Sequence, residues 1–171
     1  MTSFLVKVNS GLLTTEKVTI GVILGVMALL LTLGVAFRYL LGAPFVWNES
    51  VSKLLIVWLT FVGTSVAFAE KQHITVDSVV SAMPSSVRSV VHTLVLLISI
   101  AILGTMAFLG YEYCQTVVSS TSPILGISLA WFAYAMPLFF IFSAFHLIVN
   151  AIVERSFNAF ETDMENVFFF F

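Results

Sequence analysis

Charged residues are scarce in this sequence: Asp, Glu, Lys and Arg make up 9% of its 171 residues, whereas 60% are hydrophobic. A soluble domain usually carries about a quarter charged residues. So few charged groups cannot cover a water-soluble surface, and most of the surface must therefore face an apolar medium. The net charge of −2 also lacks the basic excess that nucleic-acid binding requires. The composition indicates an integral membrane protein.

Cysteine occurs once, as Cys114, which excludes an internal disulfide and any Cys-x-x-Cys redox or zinc site. A glycine-rich phosphate-binding loop is also absent. Acidic residues are missing from the middle of every long apolar run, where a proton-driven pump would need them. We therefore predict no catalytic residue, no metal ligand, no cofactor and no enzymatic activity.

Uncharged runs between charged residues predict four transmembrane helices. The first run, between Lys17 and Arg38, would form about 30 Å of helix, which matches the hydrocarbon core of a bilayer. The last run is too long for one helix and is divided by a turn at Pro123 and Gly126. We expect an all-α integral membrane protein with four tilted transmembrane helices plus short interfacial amphipathic helices. Residues 1–171 would form one membrane domain with spans at about 18–40, 49–69, 86–113 and 129–153 and an amphipathic C-terminal tail at 154–171.

Basic residues predict the orientation, because Lys and Arg accumulate on the cytoplasmic side of membrane proteins. Of the 7 basic residues, Arg38 and Lys53 fall on one side of the predicted spans and the others fall on the opposite side. This bias predicts that both termini are cytoplasmic. The connections at residues 42–53 and 116–128 would then face outward.

The cytoplasmic connection between the second and third spans contains an amphipathic pattern. Val76, Val79, Val80 and Met83 follow the spacing of one helical face. We expect a short helix that lies in the membrane interface and ends near Pro84.

The C-terminal tail carries a helical stripe of apolar residues beside an acidic polar face. A lone helix on the negative cytoplasmic leaflet normally carries Lys and Arg, so attraction to lipid explains this tail poorly. A frayed end is one interpretation. The other is that the stripe packs on the cytoplasmic edge of a partner, with Phe157, Phe160, Met164 and Phe168 as the candidate interface residues.

Glu49 and Lys53 lie four residues apart at the start of the second span, so they share one helical face with the acid on the N-terminal side. In one interpretation the pair only marks where the helix leaves the lipid head groups. In the other, Arg38 at the outer end of the first span joins them in a cluster that fixes the two helices or meets a partner. Trp47 and Trp58, on the same helical stripe, complete the candidate interface set.

Two histidines offer an alternative function. His92 and His146 lie in the cytoplasmic halves of different spans, and histidines on facing helices can ligate a b-type haem. The chain would then be the haem-carrying membrane anchor of an oxidoreductase. Their depths differ by about 7 Å if both helices run normal to the membrane, which is a poor match for one haem. A histidine near the end of a span more often forms an interfacial hydrogen bond.

In order and spacing, several residues resemble the small membrane subunit of TRAP (tripartite ATP-independent periplasmic) transporters. The resemblance covers residues 18–153 and rests on Phe37-Arg38-Tyr39, Trp47-x-Glu49, Lys53, Trp58, Gly63, His73-Ile74-x-Val76-Asp77, Pro84, Arg88 and SPILGISLAWFAYAMP. The chain departs from the family at Ser50, where a second acid is common, and at Ser128, where proline is common. The first departure weakens any requirement for paired acids in this chain.

The resemblance implies a sodium-coupled importer of organic acids, of the sialic-acid or C4-dicarboxylate class, in the bacterial inner membrane. A soluble periplasmic binding protein would deliver the substrate. A large membrane subunit would hold the sodium and substrate sites and move by an elevator-type motion. This chain would be the stationary, non-catalytic scaffold that contacts the large subunit, the binding protein and membrane lipid.

Overall fold

A computed structural model describes residues 2–43, 45–70 and 85–168, and their side chains except those at 2, 85–86, 88–89, 92 and 154–168. The described chain is mostly helical and contains four helical segments that are long and apolar enough to cross a membrane. The predicted all-α membrane architecture is confirmed. The predicted interfacial helix at residues 75–83 lies outside the described residues. The helices are α1 (Thr2–Leu40), α2 (Asn48–Ala69), α3 (Ser85–Val117), α4 (Ala130–Ala133) and α5 (Ala135–Phe168).

Helix α1 begins at Thr2 rather than near residue 18, where the first span was predicted to start. Its 39 residues extend about 58 Å, which exceeds the roughly 40–45 Å of a bilayer with its head groups. The less exposed residues recur three and four positions apart, as expected for a helix that packs along one face. The stripe consists of Leu5, Asn9, Leu12, Glu16, Ile20, Ile23, Met27, Leu30, Gly34 and Phe37, and the half-buried residues Leu13, Thr19 and Ala36 lie directly beside it.

The fourth span is interrupted at Tyr134, between α4 and α5. Pro137 explains the interruption, because it lacks the amide proton that would bond to the carbonyl of Ala133 and its ring crowds that carbonyl. Gly110 of α3 faces this bend: a Cβ atom there would lie 3.0 Å from Met136 Cγ and 3.1 Å from Pro137 Cδ. The missing side chain lets α3 and α5 approach closely.

The long helices form an open row rather than a closed bundle. Helix α1 packs on α2, α2 packs on α5 and α5 packs on α3, while α1 reaches α5 over a shorter contact. Among the described residues, α3 touches neither α1 nor α2. The accessible surface is 11460 Å², whereas a compact soluble chain of 18.8 kDa exposes about 8,300 Å². The row therefore presents broad apolar faces that lipid or a partner must cover.

The apolar core lies between α2 and α5. Val62, Ala135 and Phe139 are buried there, and the ring of Trp58 packs against them. Phe139 makes edge-to-face contacts with Trp58 at a centroid distance of 6.0 Å and with Phe142 at 5.6 Å. Such aromatic pairs contribute about 0.5–1.5 kcal/mol beyond the burial of their area. These contacts make α5 the central helix of the row.

Helices α1 and α2 are joined by a short hairpin, in which Gly42 has φ 63°, a conformation that favours glycine. Just before the turn, Gly34 of α1 faces Asn48, the first residue of α2. A Cβ atom at Gly34 would collide with the side-chain amide of Asn48. A larger residue at position 34 would therefore have to displace the Asn48 side chain.

The connection between α3 and α4 forms the turn that Pro123 and Gly126 predicted, and Gly126 has φ 66°. The hydroxyl of Ser128 donates a hydrogen bond to the Val118 carbonyl at 2.7 Å. It also accepts one from the Ala130 amide at 3.2 Å. Ser128 thus satisfies an amide at the start of α4, so a serine supports this connection where the resemblance led us to expect proline.

Candidate functional site

Asn9, Glu16, Ser65 and His146 form a polar cluster, called here the Glu16 network, where α1, α2 and α5 meet; Asn9 is half-buried and the other three are buried. The Ser65 hydroxyl donates to Glu16 Oε1 at 2.7 Å, and Glu16 Oε2 lies 3.1 Å from His146 Nε2. On the other side of the ring, His146 Nδ1 lies 2.7 Å from Asn9 Oδ1. Glu16 is 3% exposed and His146 is 0% exposed. Because burial of unpaired polar groups is costly, these mutual bonds are what allow the groups to lie between the helices.

Three proton arrangements satisfy this geometry. In one, a protonated Glu16 donates from Oε2 to Nε2 of a neutral His146, which donates from Nδ1 to Asn9 Oδ1. With Asn9 Oδ1 toward the ring, both nitrogens of His146 donate, and the resulting imidazolium is paired with the Glu16 carboxylate. With the Asn9 amide rotated end for end, Asn9 donates to Nδ1 and a neutral His146 donates from Nε2 to Glu16. In every arrangement Glu16 makes two hydrogen bonds, one with Ser65 of α2 and one with His146 of α5. The network therefore holds α1 to both neighbouring helices.

Two further polar contacts fasten the C-terminal end of α2 beside the network. The side-chain amide of Asn150 on α5 donates to the carbonyls of Ala69 at 3.0 Å and Phe68 at 3.4 Å. Carbonyls in the last turn of a helix have no partner within the helix, so Asn150 satisfies them. The Lys17 ammonium forms an ion pair with the Glu70 carboxylate. This end of α2 is thus tied to both α1 and α5.

The sequence interpretation missed Glu16, because it started the first span just after this residue. Glu16 lies four residues after Leu12 and four before Ile20, on the stripe along which α1 packs. An acid at that spacing requires a buried partner, and this was the available signal. His146 was considered as a haem ligand, but both of its ring nitrogens are engaged in the network. The side chain of His92 lies outside the described part of the chain.

The opposite end of α2 carries the predicted charged residues. Lys53 Nζ lies 2.7 Å from Glu49 Oε1, in the one-turn pair that the spacing predicted. Both side chains are exposed. Arg38 lies close enough to act electrostatically on Glu49 but forms no ion pair with it among the described contacts. The structure therefore brings all three charges to the hairpin, with the acid bonded to Lys53.

A groove of about 790 Å³ lies between α1 and α2 at this end and is called here the hairpin groove. Its lining changes from charged and polar residues near the turn to apolar residues further along both helices. Asn48 Oδ1 and Ser52 Oγ are buried and have no hydrogen-bond partner within the described structure. The lining residues are Met27, Leu31, Gly34, Val35, Arg38, Tyr39, Phe45, Val46, Asn48, Glu49, Ser52, Lys53, Ile56 and Ile124.

The two predicted tryptophans have different surroundings. Trp47 precedes α2, is 44% exposed and stacks on Phe45 at a centroid distance of 5.4 Å. Trp58 instead packs into the core and donates its indole proton to the carbonyl of Trp131 at 2.9 Å. Trp47 is therefore available to a partner, whereas Trp58 connects α2 to α4.

The predicted tail residues Phe157, Phe160, Met164 and Phe168 lie on the last part of α5, which continues to Phe168. Their side chains lie outside the described part of the structure. The helical backbone is consistent with the predicted stripe, and its contact with a partner stays a prediction.

Comparison with known proteins identifies the family. The family model described as "Tripartite ATP-independent periplasmic transporters, DctQ component" matches residues 27–156, most of the chain. The chain belongs to this family. It is accordingly a small permease component of a TRAP transporter and not an enzyme, as the resemblance implied. The charged residues of the hairpin lie within the matched region, whereas Asn9 and Glu16 precede it.

Individual relatives of this DctQ-type chain carry transporter names. It is 29% identical over 146 residues to "Sialic acid TRAP transporter small permease protein SiaQ" of Vibrio cholerae, which covers 84% of this chain and 79% of the relative. It is 27% identical over 111 residues to "Sialic acid TRAP transporter permease protein SiaT" of Haemophilus influenzae, covering 65% of this chain but 18% of that longer protein. A "Putative TRAP transporter small permease protein" of Haemophilus influenzae is 24% identical over 139 residues, 77% of this chain and 82% of the relative.

Proposed function

We propose that this DctQ-type chain is the stationary, non-catalytic scaffold of a sodium-coupled TRAP transporter that imports an organic acid of the sialic-acid class. The observation that carries the proposal is the way the helix row is fastened at both ends. The Glu16 network ties α1 to α2 and α5 at one end, and α1 packs closely on α2 at the other, where Gly34 faces Asn48. An element that is held at two distant points is suited to resist motion in a neighbour.

The partner that we propose is the large membrane subunit. The open row leaves broad apolar faces, which a partner within the membrane would cover. The match to SiaT supports this pairing, because only 18% of that permease corresponds to this chain and the remainder is a much larger polypeptide. We place Phe157, Phe160, Met164 and Phe168 of the tail at the cytoplasmic edge of this contact.

The proposed substrate class follows the names of the relatives, two of which are sialic acid transporter components. Sodium coupling and substrate binding would belong to the large subunit. In this chain, the described charged side chains of the helix row lie towards the ends of the helices: at the Glu16 network, at the hairpin, at Lys7 of α1 and at Glu112 of α3. Such a distribution suits a support rather than an ion pathway, which needs polar groups within the membrane.

The proposed orientation puts both termini in the cytoplasm and the hairpin in the periplasm of a bacterial inner membrane. The distribution of basic residues supports it. In this orientation Arg38, Trp47, Glu49 and Lys53 face the compartment of the binding protein and are candidates to contact it. Reporter fusions at Ser120 and at the C-terminus test the orientation. We expect the two reporters on opposite sides of the membrane, and finding both on the same side would overturn the proposed orientation.

Reconstitution tests the whole proposal. Proteoliposomes would contain this chain, the large permease or both, with the binding protein and labelled sialic acid outside and an inward sodium gradient. We expect uptake only when both membrane proteins are present. Sodium-dependent uptake by this chain alone would contradict the scaffold role, and undiminished uptake without this chain would show that no scaffold is needed.

A further inference from the structure

The hairpin groove has a polarity gradient along its length. At the hairpin end it is lined by Arg38, Glu49 and Lys53, and further along α1 it is lined by Leu31 and Met27. The separation of Met27 from Arg38 along α1 corresponds to roughly 16 Å of helix. That is about half of the 30 Å hydrocarbon core, or the depth of one leaflet. The groove thus has the length and the polarity profile of a single phospholipid.

The charges at the polar end leave one cation without a bonded anion. The Glu49 carboxylate is bonded to Lys53 at 2.7 Å, so these two charges compensate each other. Arg38 has no hydrogen bond or ion pair among the described contacts, and its guanidinium matches the geometry of phosphate oxygens. The groove therefore carries a net charge of about one positive unit, which complements one phosphodiester anion.

Two further groups in the groove call for polar partners. Asn48 Oδ1 accepts no hydrogen bond and Ser52 Oγ makes none, although both atoms are buried in the described structure. Buried polar atoms are nearly always bonded, so these atoms require an explanation. Both atoms are shielded, so a lipid head group could bond to them only after the Asn48 and Ser52 side chains rotate toward the groove. Asn48 would then accept from a head-group hydroxyl, and Ser52 would donate to a phosphate oxygen. A purely apolar protein helix would leave both atoms unpaired.

We propose that the hairpin groove binds one phospholipid with a net negative, hydroxyl-bearing head group, with its phosphate on Arg38 and an acyl chain along Leu31 and Met27. The bound lipid would lie in the groove between α1 and α2, alongside Gly34. This inference concerns this chain alone and does not depend on the proposed substrate or on the transport role. A helix of the large permease in the same groove is the competing occupant that the test must distinguish.

The test measures lipid retention by the full-length chain. The purified chain is delipidated in detergent and titrated with dioleoyl phosphatidylglycerol or dioleoyl phosphatidylcholine, and bound lipid is counted by native mass spectrometry. Arg38→Gln removes the cation, and Lys7→Gln removes a cation from the other end of the same helix as a control. Leu31→Trp fills the apolar part, with Leu29→Trp, an exposed position outside the groove lining, as its control.

We expect the wild type to retain phosphatidylglycerol in preference to phosphatidylcholine. Arg38→Gln should lower the affinity for phosphatidylglycerol about fivefold, as expected for one cation near a membrane surface. Leu31→Trp should lower retention of both lipids, and the two control variants should bind as the wild type does. Equal binding of both lipids by the wild type, or unchanged binding by Arg38→Gln, would overturn the proposal.

A photo-crosslinking amino acid at position 31 identifies the occupant in the assembled transporter. Crosslinks to phospholipid from the chain co-purified with the large permease support the proposal. Crosslinks to the large permease, with lipid absent from the adducts, would overturn it and assign the groove to the subunit interface. Neither result depends on uptake, so failure of the lipid site and failure of the scaffold role are distinguishable.

Discussion

Removal of the Glu16 carboxylate should destabilise the chain more than any other single loss of charge among its described residues. In Glu16→Ala the Ser65 hydroxyl and His146 Nε2 both lose their hydrogen-bond partner in a region where His146 is 0% exposed. Breaking a buried pair by removing one partner costs about 3–5 kcal/mol in soluble proteins. Hydrogen bonds between helices in lipid contribute less, roughly 0.6–2 kcal/mol each. Because Glu16→Ala removes two such hydrogen bonds, we expect the free energy of unfolding to fall by about 3 kcal/mol.

The matched variant Glu16→Gln separates hydrogen bonding from charge. A glutamine at this position accepts from Ser65 through its oxygen and donates to His146 Nε2 through its amide. A neutral His146 then donates from Nδ1 to Asn9 Oδ1, so every bond of the network is kept. We therefore expect Glu16→Gln to lose about 1 kcal/mol or less, as is usual when a hydrogen-bonded group is replaced by an isosteric one.

Thermal unfolding of the full-length chain in detergent, followed by tryptophan fluorescence at a fixed scan rate, measures these differences. A chain of this size shifts its midpoint by about 2–4 °C per kcal/mol, so Glu16→Ala should unfold roughly 6–12 °C below the wild type. Thr19→Ala is the control, because the Thr19 hydroxyl bonds only within its own helix. If Glu16→Ala unfolds within the range of this control, the network does not stabilise the row.

A double-mutant cycle with His146→Leu completes this test. Substituting both partners with leucine removes the polar groups together, and buried pairs replaced in this way are often neutral in stability. Glu16→Leu combined with His146→Leu should therefore be more stable than the sum of the single changes predicts, by about 1–3 kcal/mol. Additive losses would mean that the two side chains act independently.

Three further predictions address the rest of the molecule. Gly34→Ala should unfold at a lower midpoint than Gly25→Ala in the isolated chain, because the methyl at position 34 must displace the Asn48 side-chain amide whereas nothing lies within 4 Å of the Cβ position of Gly25. Equal midpoints would mean that Asn48 moves at no cost. Glu49→Lys should reduce uptake by the reconstituted transporter, because it places like charges at positions 49 and 53. If uptake is unchanged in both Glu49→Lys and Lys53→Glu, the pair only marks the boundary of the helix. Deletion of residues 157–171 should weaken co-purification of the large permease while the four spans still insert, and an unchanged pull-down would exclude the tail from the interface.

Local patterns predicted much of the architecture. Uncharged runs indicated four crossing segments, and glycine with proline marked the turn near Gly126. The pair of Glu49 and Lys53 also follows from spacing alone, since residues four apart on a helix are neighbours whatever surrounds them. The break at Tyr134 was not predicted, although its cause, Pro137, is equally local.

The Glu16 network could not be obtained in the same way, because its members are far apart in the chain. Glu16 and His146 are separated by 130 positions, and Ser65 lies 49 positions after Glu16. Contact between these side chains depends on which helices pack together, and the spacing of residues along one helix does not predict that packing. The position of Glu16 on the packing stripe of α1 indicated that it needs a buried partner. Only the packed structure shows that the partners are Ser65 and His146.

By itself, therefore, the sequence determined that the chain lies in a membrane, that it is helical and where most of its turns fall. These properties follow from the transfer of apolar side chains out of water and from hydrogen bonds within single helices, both of which depend on residues close in the chain. Only the tertiary structure decided the order of the helices in an open row, the burial of Glu16 against His146 and the groove beside Arg38. The physical reason is that helix pairing in a membrane depends on the fit of small residues and polar groups between helices, since apolar surface is satisfied equally well by lipid.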